Sequence, residues 1–165
     1  MGEPYTDDSE LIKEVPEIFK DFGIVLLNGK IAIQKNWQDK KLTAENPEVI
    51  EHLSRGKNYG LIFGDKFLGI DADNPLLIKY IEKNLSPTLS VDTGRGRHFY
   101  FKKNFLCSTK LIQIGDVGIG HIKTGNAYFV GPGSINPETQ QEYKILSYVP
   151  IAEIDRIEID NLFSY

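Results

Sequence analysis

A chain of 165 residues, 41% hydrophobic and 25% charged, has the size and composition of one folded domain. No apolar run approaches the ~20 residues of a membrane span, the polar, acidic start Met1-Gly2-Glu3-Pro4-Tyr5 is unlike a signal peptide, and a cytoplasmic location with no membrane partner is expected. Cys107 is the only cysteine, which excludes an intramolecular disulfide and a cysteine-rich zinc site, and a net charge of −4 argues against a general nucleic-acid coat.

Taken in chain order, Asp8 or Ser9 is placed to cap a helix from Glu10 to Phe22, with Leu11, Ile12, Val15, Ile18, Phe19 and Phe22 at helical spacing. Ile24–Leu27 and Ile31–Ile33 read as a hairpin around Asn28-Gly29. Thr43–Asn46 leads into a helix from Pro47 to Leu53, with Pro47 at an early position. Tyr59–Phe63 and Phe67–Ile70 read as two strands separated by a turn at Gly64-Asp65-Lys66. Pro75 starts a helix with Leu76, Leu77, Tyr80 and Ile81 on one face. Thr88–Val91 and His98–Lys102 form a strand pair across a glycine-rich turn, and Ala127–Val130 and Tyr143–Ile145 flank a long turn rich in Gly, Pro and Asn. The tail from Ile151 has no settled type. Strands in the middle with helices mainly toward the N-terminus predict an α+β fold.

Three segments carry the chemistry. The first is Asp71-Ala72-Asp73. In a strand, residues i and i+2 share a face, so the two carboxylates project together and repel unless a cation lies between them. Hard oxygen ligands suit Mg²⁺ or Mn²⁺. Asp-Asn-Pro is also good turn chemistry, so the pair alone leaves a solvated turn and a metal site both open. The second segment is Thr93-Gly94-Arg95-Gly96-Arg97-His98. Its glycines permit a tight turn with exposed backbone N–H groups, and its arginines match phosphate geometry. A plain hairpin turn with solvated arginines fits the same residues. The third runs from Gly118 to Ser134: His121 and Lys123 share a strand face, Thr124-Gly125-Asn126 suits a hairpin turn, and Gly131-Pro132-Gly133-Ser134 suits a rigid loop. Between Thr93 and Lys123, Arg95, Arg97, Lys102, Lys103, Lys110 and Lys123 are opposed only by Asp116. This basic middle is compatible with local phosphate binding and equally with a solvated face.

In order and spacing these segments resemble the bifunctional primase-polymerase (prim-pol) domain of the archaeo-eukaryotic primase superfamily, found in archaeal plasmid, viral and phage replication proteins. Trp37 and Thr43–Ile50 resemble the family's early region, Asp71 and Asp73 its D-x-D strand, His98 in His98-Phe99-Tyr100-Phe101 its motif histidine, and Gly125–Ser134 its late G-x-Y-x-V-x-P-x-S motif. The similarity runs from Trp37 to Tyr143. It implies a single prim-pol catalytic domain over 1–165, with an N-terminal helix and hairpin (1–36), a motif-bearing core (37–145) and a C-terminal tail (146–165). The implied fold has an RRM-like catalytic sheet and an N-terminal α/β subdomain.

The resemblance implies metal-dependent, template-directed nucleotidyl transfer in DNA replication, with single-stranded DNA template, primer and NTP or dNTP as partners, and a helicase domain or protein as an associate. Asp71 and Asp73 would hold Mg²⁺ or Mn²⁺, and Arg95, Gly96, Arg97 and His98 would bind the triphosphate. Lys123 would help, and Ser134 would shape the nucleotide pocket. The chain departs from the family at His121, where a third carboxylate is expected. His121 either ligates a softer ion such as Mn²⁺ or Zn²⁺ through a ring nitrogen, or marks a site that binds nucleotide but transfers it poorly. A metal-dependent nuclease built on the Asp pair is a further alternative.

Overall fold

The computed structural model describes residues 13–163. It is a mixed α/β structure with one large sheet of nine strands among the described residues and few helices. Strand β1 (Gly23–Asn28) pairs with β2 (Ile31–Ala32) and with the first half of β3 (Asn58–Ala72). The second half of β3 pairs with β5 (Arg97–Lys102), which in turn pairs with β4 (Ser90–Asp92), and β4 with β8 (Lys144–Ser147). On its other edge, β3 runs antiparallel to β7 (Val117–Val130), and β6 (Lys110–Ile114) folds back on β7. Among the described residues only the short β9 (Ala152–Glu153) lies parallel to its neighbour, β5.

Two helices start where the sequence puts them, at Pro47 and Pro75, while the Asp8 or Ser9 cap lies outside the described residues. Asn46 accepts the Glu48 N–H ahead of helix α2 (Pro47–Ser54), and Asn74 accepts the Leu76 N–H ahead of α3 (Pro75–Asn84). Each satisfies a first-turn donor, with proline in the first helical turn where its missing N–H costs nothing. Besides the short α1 (Trp37–Lys40), a fourth helix, α4 (Arg156–Asn161), settles the tail, with Asp155 and Glu158 forming a capping box.

Four expectations are corrected. The predicted helix over residues 10–22 begins outside the described residues, and its described part is only a 3-10 turn at Glu17–Phe19. Pro16, which lacks an N–H and disfavours helical geometry in the residue before it, interrupts the pattern. The turn expected at residues 64–66 does not occur, and neither does the one at 124–126. Chain reversal is replaced by a bulge in two continuous strands, where Gly64 and Gly125 sit opposite each other, both at φ 64. Leu76 is exposed, and Leu77 and Ile81 carry α3's buried face.

Two apolar clusters cover the two faces of the sheet. One packs Phe19, Phe22, Val49 and Leu53 against Tyr59, Phe63, Tyr100 and Phe129. The other packs Leu77 and Ile81 of α3 and Ile159 of α4 against Leu68, Ile70, Phe99, Phe101 and Ile122. No helix among the described residues is long and apolar enough to cross a membrane.

Candidate metal centre and anion pocket

The end of β3 sets the site. Asp71 pairs across the sheet with His98 on β5 and with His121 on β7, so three polar side chains share one rung and one face. The Asp73 N–H donates to the Ile119 carbonyl at 3.1 Å. The backbone therefore stays extended past the last strand residue, and Asp73 returns to Asp71's face. Ligand atoms of Asp71, Asp73 and His121 all lie within 4.8 Å of one another. Two glycines permit this closeness: a Cβ at Gly120 would overlap the Asp71 carbonyl oxygen, and one at Gly96 the Ala72 carbonyl oxygen.

Burial, followed by the Asp73 charge and hydrogen bond, pushes the Asp71 carboxyl up to about 6, against the pull of Lys123 and Lys30. Burial, with help from Lys123 and Lys30, pushes the His98 ring down to about 3, so it is neutral at physiological pH. Its ring stacks on Phe129 with centroids 3.8 Å apart. Nε2 lies 3.6 Å from Asp71 Oδ1, a contact of a neutral ring and not an ion pair. His98 Nδ1 and Tyr100 Oη are buried and find no hydrogen-bond partner among the described residues. Burial and the charges of Asp71 and Glu138 raise the Tyr143 hydroxyl to about 12.

Asp71, Asp73 and His98 open into a cavity of about 480 Å³. Lys123 and Arg95 line it, and so do Lys30, Trp37, Tyr128 and Tyr143. Of the residues singled out in the sequence, Arg97 lies elsewhere: it follows Ala72 in register and is directed to the opposite face, where it pairs with Glu82 of α3. Gly96 does not offer a free donor, because its N–H donates to Thr93 Oγ1 at 3.0 Å. Gly94 donates to Asp92 Oδ1 at 2.9 Å, so the turn's amides are held within the turn. Ser134 is fully buried, and its hydroxyl accepts the Tyr59 N–H at 3.2 Å. Lys30 carries no periodic or motif signal in the sequence. It reaches the cavity because the β1–β2 turn does, and its carbonyl accepts the Tyr128 hydroxyl at 2.7 Å. Trp37, T-stacked on Tyr128 at 5.2 Å, adds an aromatic wall.

The chain matches the family model described as bifunctional DNA primase/polymerase, N-terminal, over residues 20–157. It belongs to this Prim-Pol family, whose chemistry is primase and polymerase nucleotidyl transfer. No curated protein is matched by the sequence.

Proposed function

We propose that this domain carries out metal-dependent, template-directed nucleotidyl transfer, in which the 3′-hydroxyl of a primer or initiating nucleotide attacks the α-phosphate of an incoming nucleotide and pyrophosphate leaves. The observation that carries this reading is the convergence of Asp71, Asp73 and His121, with the two carboxylates lining a cavity together with Lys30, Arg95 and Lys123. Two crowded carboxylates, one with its proton affinity raised by burial and by the other, fit a divalent cation, and the His121 imidazole adds a nitrogen donor to a set suited to Mn²⁺ as well as Mg²⁺. A divalent ion held there supplies charge stabilisation to attacking and leaving oxygens.

The remaining work belongs to the chain. Lys30, Arg95 and Lys123 bind the triphosphate oxygens and orient the α-phosphate. His98, fixed against Phe129, keeps Asp71 in place and offers Nε2 to the ligand, its Nδ1 being buried. Trp37 and Tyr128 give a base an aromatic surface. A single-stranded template is held through its phosphates, and a helicase is a fitting associate. In this reading 1–165 is one catalytic domain, with β4, β5, the end of β3 and β7 as an RRM-like catalytic sheet backed by α3 and α4.

His121 supports a second reading, a module that binds nucleotide and DNA but transfers slowly for want of a third carboxylate. Primer extension on a short DNA template, with dNTPs and Mg²⁺ or Mn²⁺, separates the two. Extension by the unsubstituted chain that disappears in Asp71→Ala/Asp73→Ala supports the polymerase. Extension only after His121→Asp supports the weakened module, and shortening of the DNA instead would point to a nuclease.

A further inference from the structure

Glu138 bridges two cations that line the cavity. Its Oε1 lies 3.3 Å from Lys30 Nζ and its Oε2 lies 2.8 Å from Arg95 Nη1. The three residues come from three different turns: β1–β2, β4–β5, and the segment closed by the Ile135–Glu142 bridge. The backbone of that segment is fixed. The buried Asn136 donates through Nδ2 to the Thr93 carbonyl at 3.0 Å and accepts the Glu138 N–H through Oδ1 at 2.9 Å. Asn58 Nδ2 donates to both the Gly29 and the Ile135 carbonyls, at 3.0 and 2.7 Å, joining the segment to the turn that bears Lys30. A Cβ at Gly94 would meet Thr139 Oγ1 and Gln141 Oε1 at 2.8 Å, so the segment also presses on the turn that bears Arg95. What remains free to rotate is the half-exposed Glu138 side chain.

A carboxylate that gives one oxygen to a lysine and the other to an arginine occupies the place of two phosphate oxygens. We propose that Lys30 and Arg95 form a two-point polyphosphate clamp, and that Glu138 is its built-in competitor, which a triphosphate must displace. The proposal rests on the nucleotide-site reading of the cavity and adds to it an internal competitor. Displacing Glu138 costs every bridging anion alike, and a polyphosphate, with more charge to set against that cost than a single phosphate, is the ligand best able to meet it. Glu138 therefore lowers the affinity of the clamp for every anion and keeps the empty clamp from holding stray ones.

The test is equilibrium binding of inorganic tripolyphosphate, and separately of a short single-stranded oligonucleotide, in metal-free buffer. The readout is the fluorescence of Trp37, the only tryptophan and part of the cavity wall. Glu138→Gln is expected to bind tripolyphosphate about 3- to 10-fold more tightly, in line with the worth of partly exposed ion pairs. The gain is expected to vanish in a Lys30→Gln/Arg95→Gln background. No gain in a Glu138→Gln protein with an unchanged melting curve would overturn the clamp. A gain that survives loss of both cations would also overturn it, since that is a bulk charge effect. A gain for the oligonucleotide alone would assign the two cations to a strand backbone and sink the triphosphate competitor. Because no turnover is read, these outcomes are independent of primer extension: an extending enzyme whose Glu138→Gln variant shows no gain loses the clamp and keeps the proposed function.

Discussion

Asp71 and Ala72 follow one another at the end of β3 and face opposite sides of the sheet. On Ala72's side the rung is Arg97 and Gly120, and Ala72 is fully buried in the apolar cluster that holds Leu77, Ile81 and Ile119. On Asp71's side the rung is His98 and His121, with a carboxyl forced toward neutrality and a buried ring nitrogen lacking a partner. The α3 face satisfies its groups and stabilises the fold, while the cavity face holds charge and unpaired polar atoms at a cost to stability. Groups that a bound cation and anion would satisfy are gathered on one side of strands anchored from the other.

The comparison can be broken from either side. The largest effect is expected on the cavity face. Asp71→Ala/Asp73→Ala should reduce primer extension on the order of 10³-fold, about 4 kcal/mol of barrier, while the melting temperature stays level or rises. A collapse in stability would mean that the pair supports the fold. On the α3 face, Leu77→Ala should cost about 2–5 kcal/mol in denaturant unfolding, with Mn²⁺ affinity of the folded fraction nearly unchanged. A specific loss of metal affinity would show that α3 positions the site.

Smaller effects concern titration. Asp71's folded pKa of about 6 lies above its ordinary value. The folded state therefore binds the extra proton, and ionisation costs stability above pH 6, a cost that is relieved as pH falls from 6 toward 4. Asp71→Asn should accordingly gain roughly 1–2 kcal/mol at pH 8 without metal, and a loss there would refute the repulsion. His98 runs the other way. Its folded pKa of about 3 lies below its unfolded value near 6.5, so its contribution is complete above pH 6.5 and is lost as pH falls toward 3. In His98→Phe, which keeps a ring against Phe129, the fall in melting temperature between pH 6.5 and 4 should be shallower than in the unsubstituted chain. Equal slopes would remove His98 from the acid response.

Local rules carried the sequence reading where the structure itself is local. The helix starts at Pro47 and Pro75, the Asn28-Gly29 hairpin and the shared face of Asp71 and Asp73 follow from period and side-chain chemistry. Gly64 and Gly125 were misread as turn formers because a glycine at positive φ serves a reversal and a bulge equally well. Only the pairing of β3 with β7 selects the bulge. Arg97 belongs with Glu82 because the strand starts at Arg97, one residue earlier than expected, and alternation then sends it away from His98. Lys30 and Glu138 were invisible to sequence reasoning, since turns far apart in the chain bring them to one cavity.

The glycine bulge shared by β3 and β7 also bears on how the chain reaches its native state. These two strands form the longest ribbon in the sheet, and both apolar clusters need it, yet the intervening chain includes α3, β4, β5 and β6. Closing so long a loop costs entropy before any of that burial repays it. Refolding is therefore expected to take milliseconds to seconds, roughly the range for sheet-dominated chains, with the two clusters appearing together once the ribbon has zipped past Gly64 and Gly125.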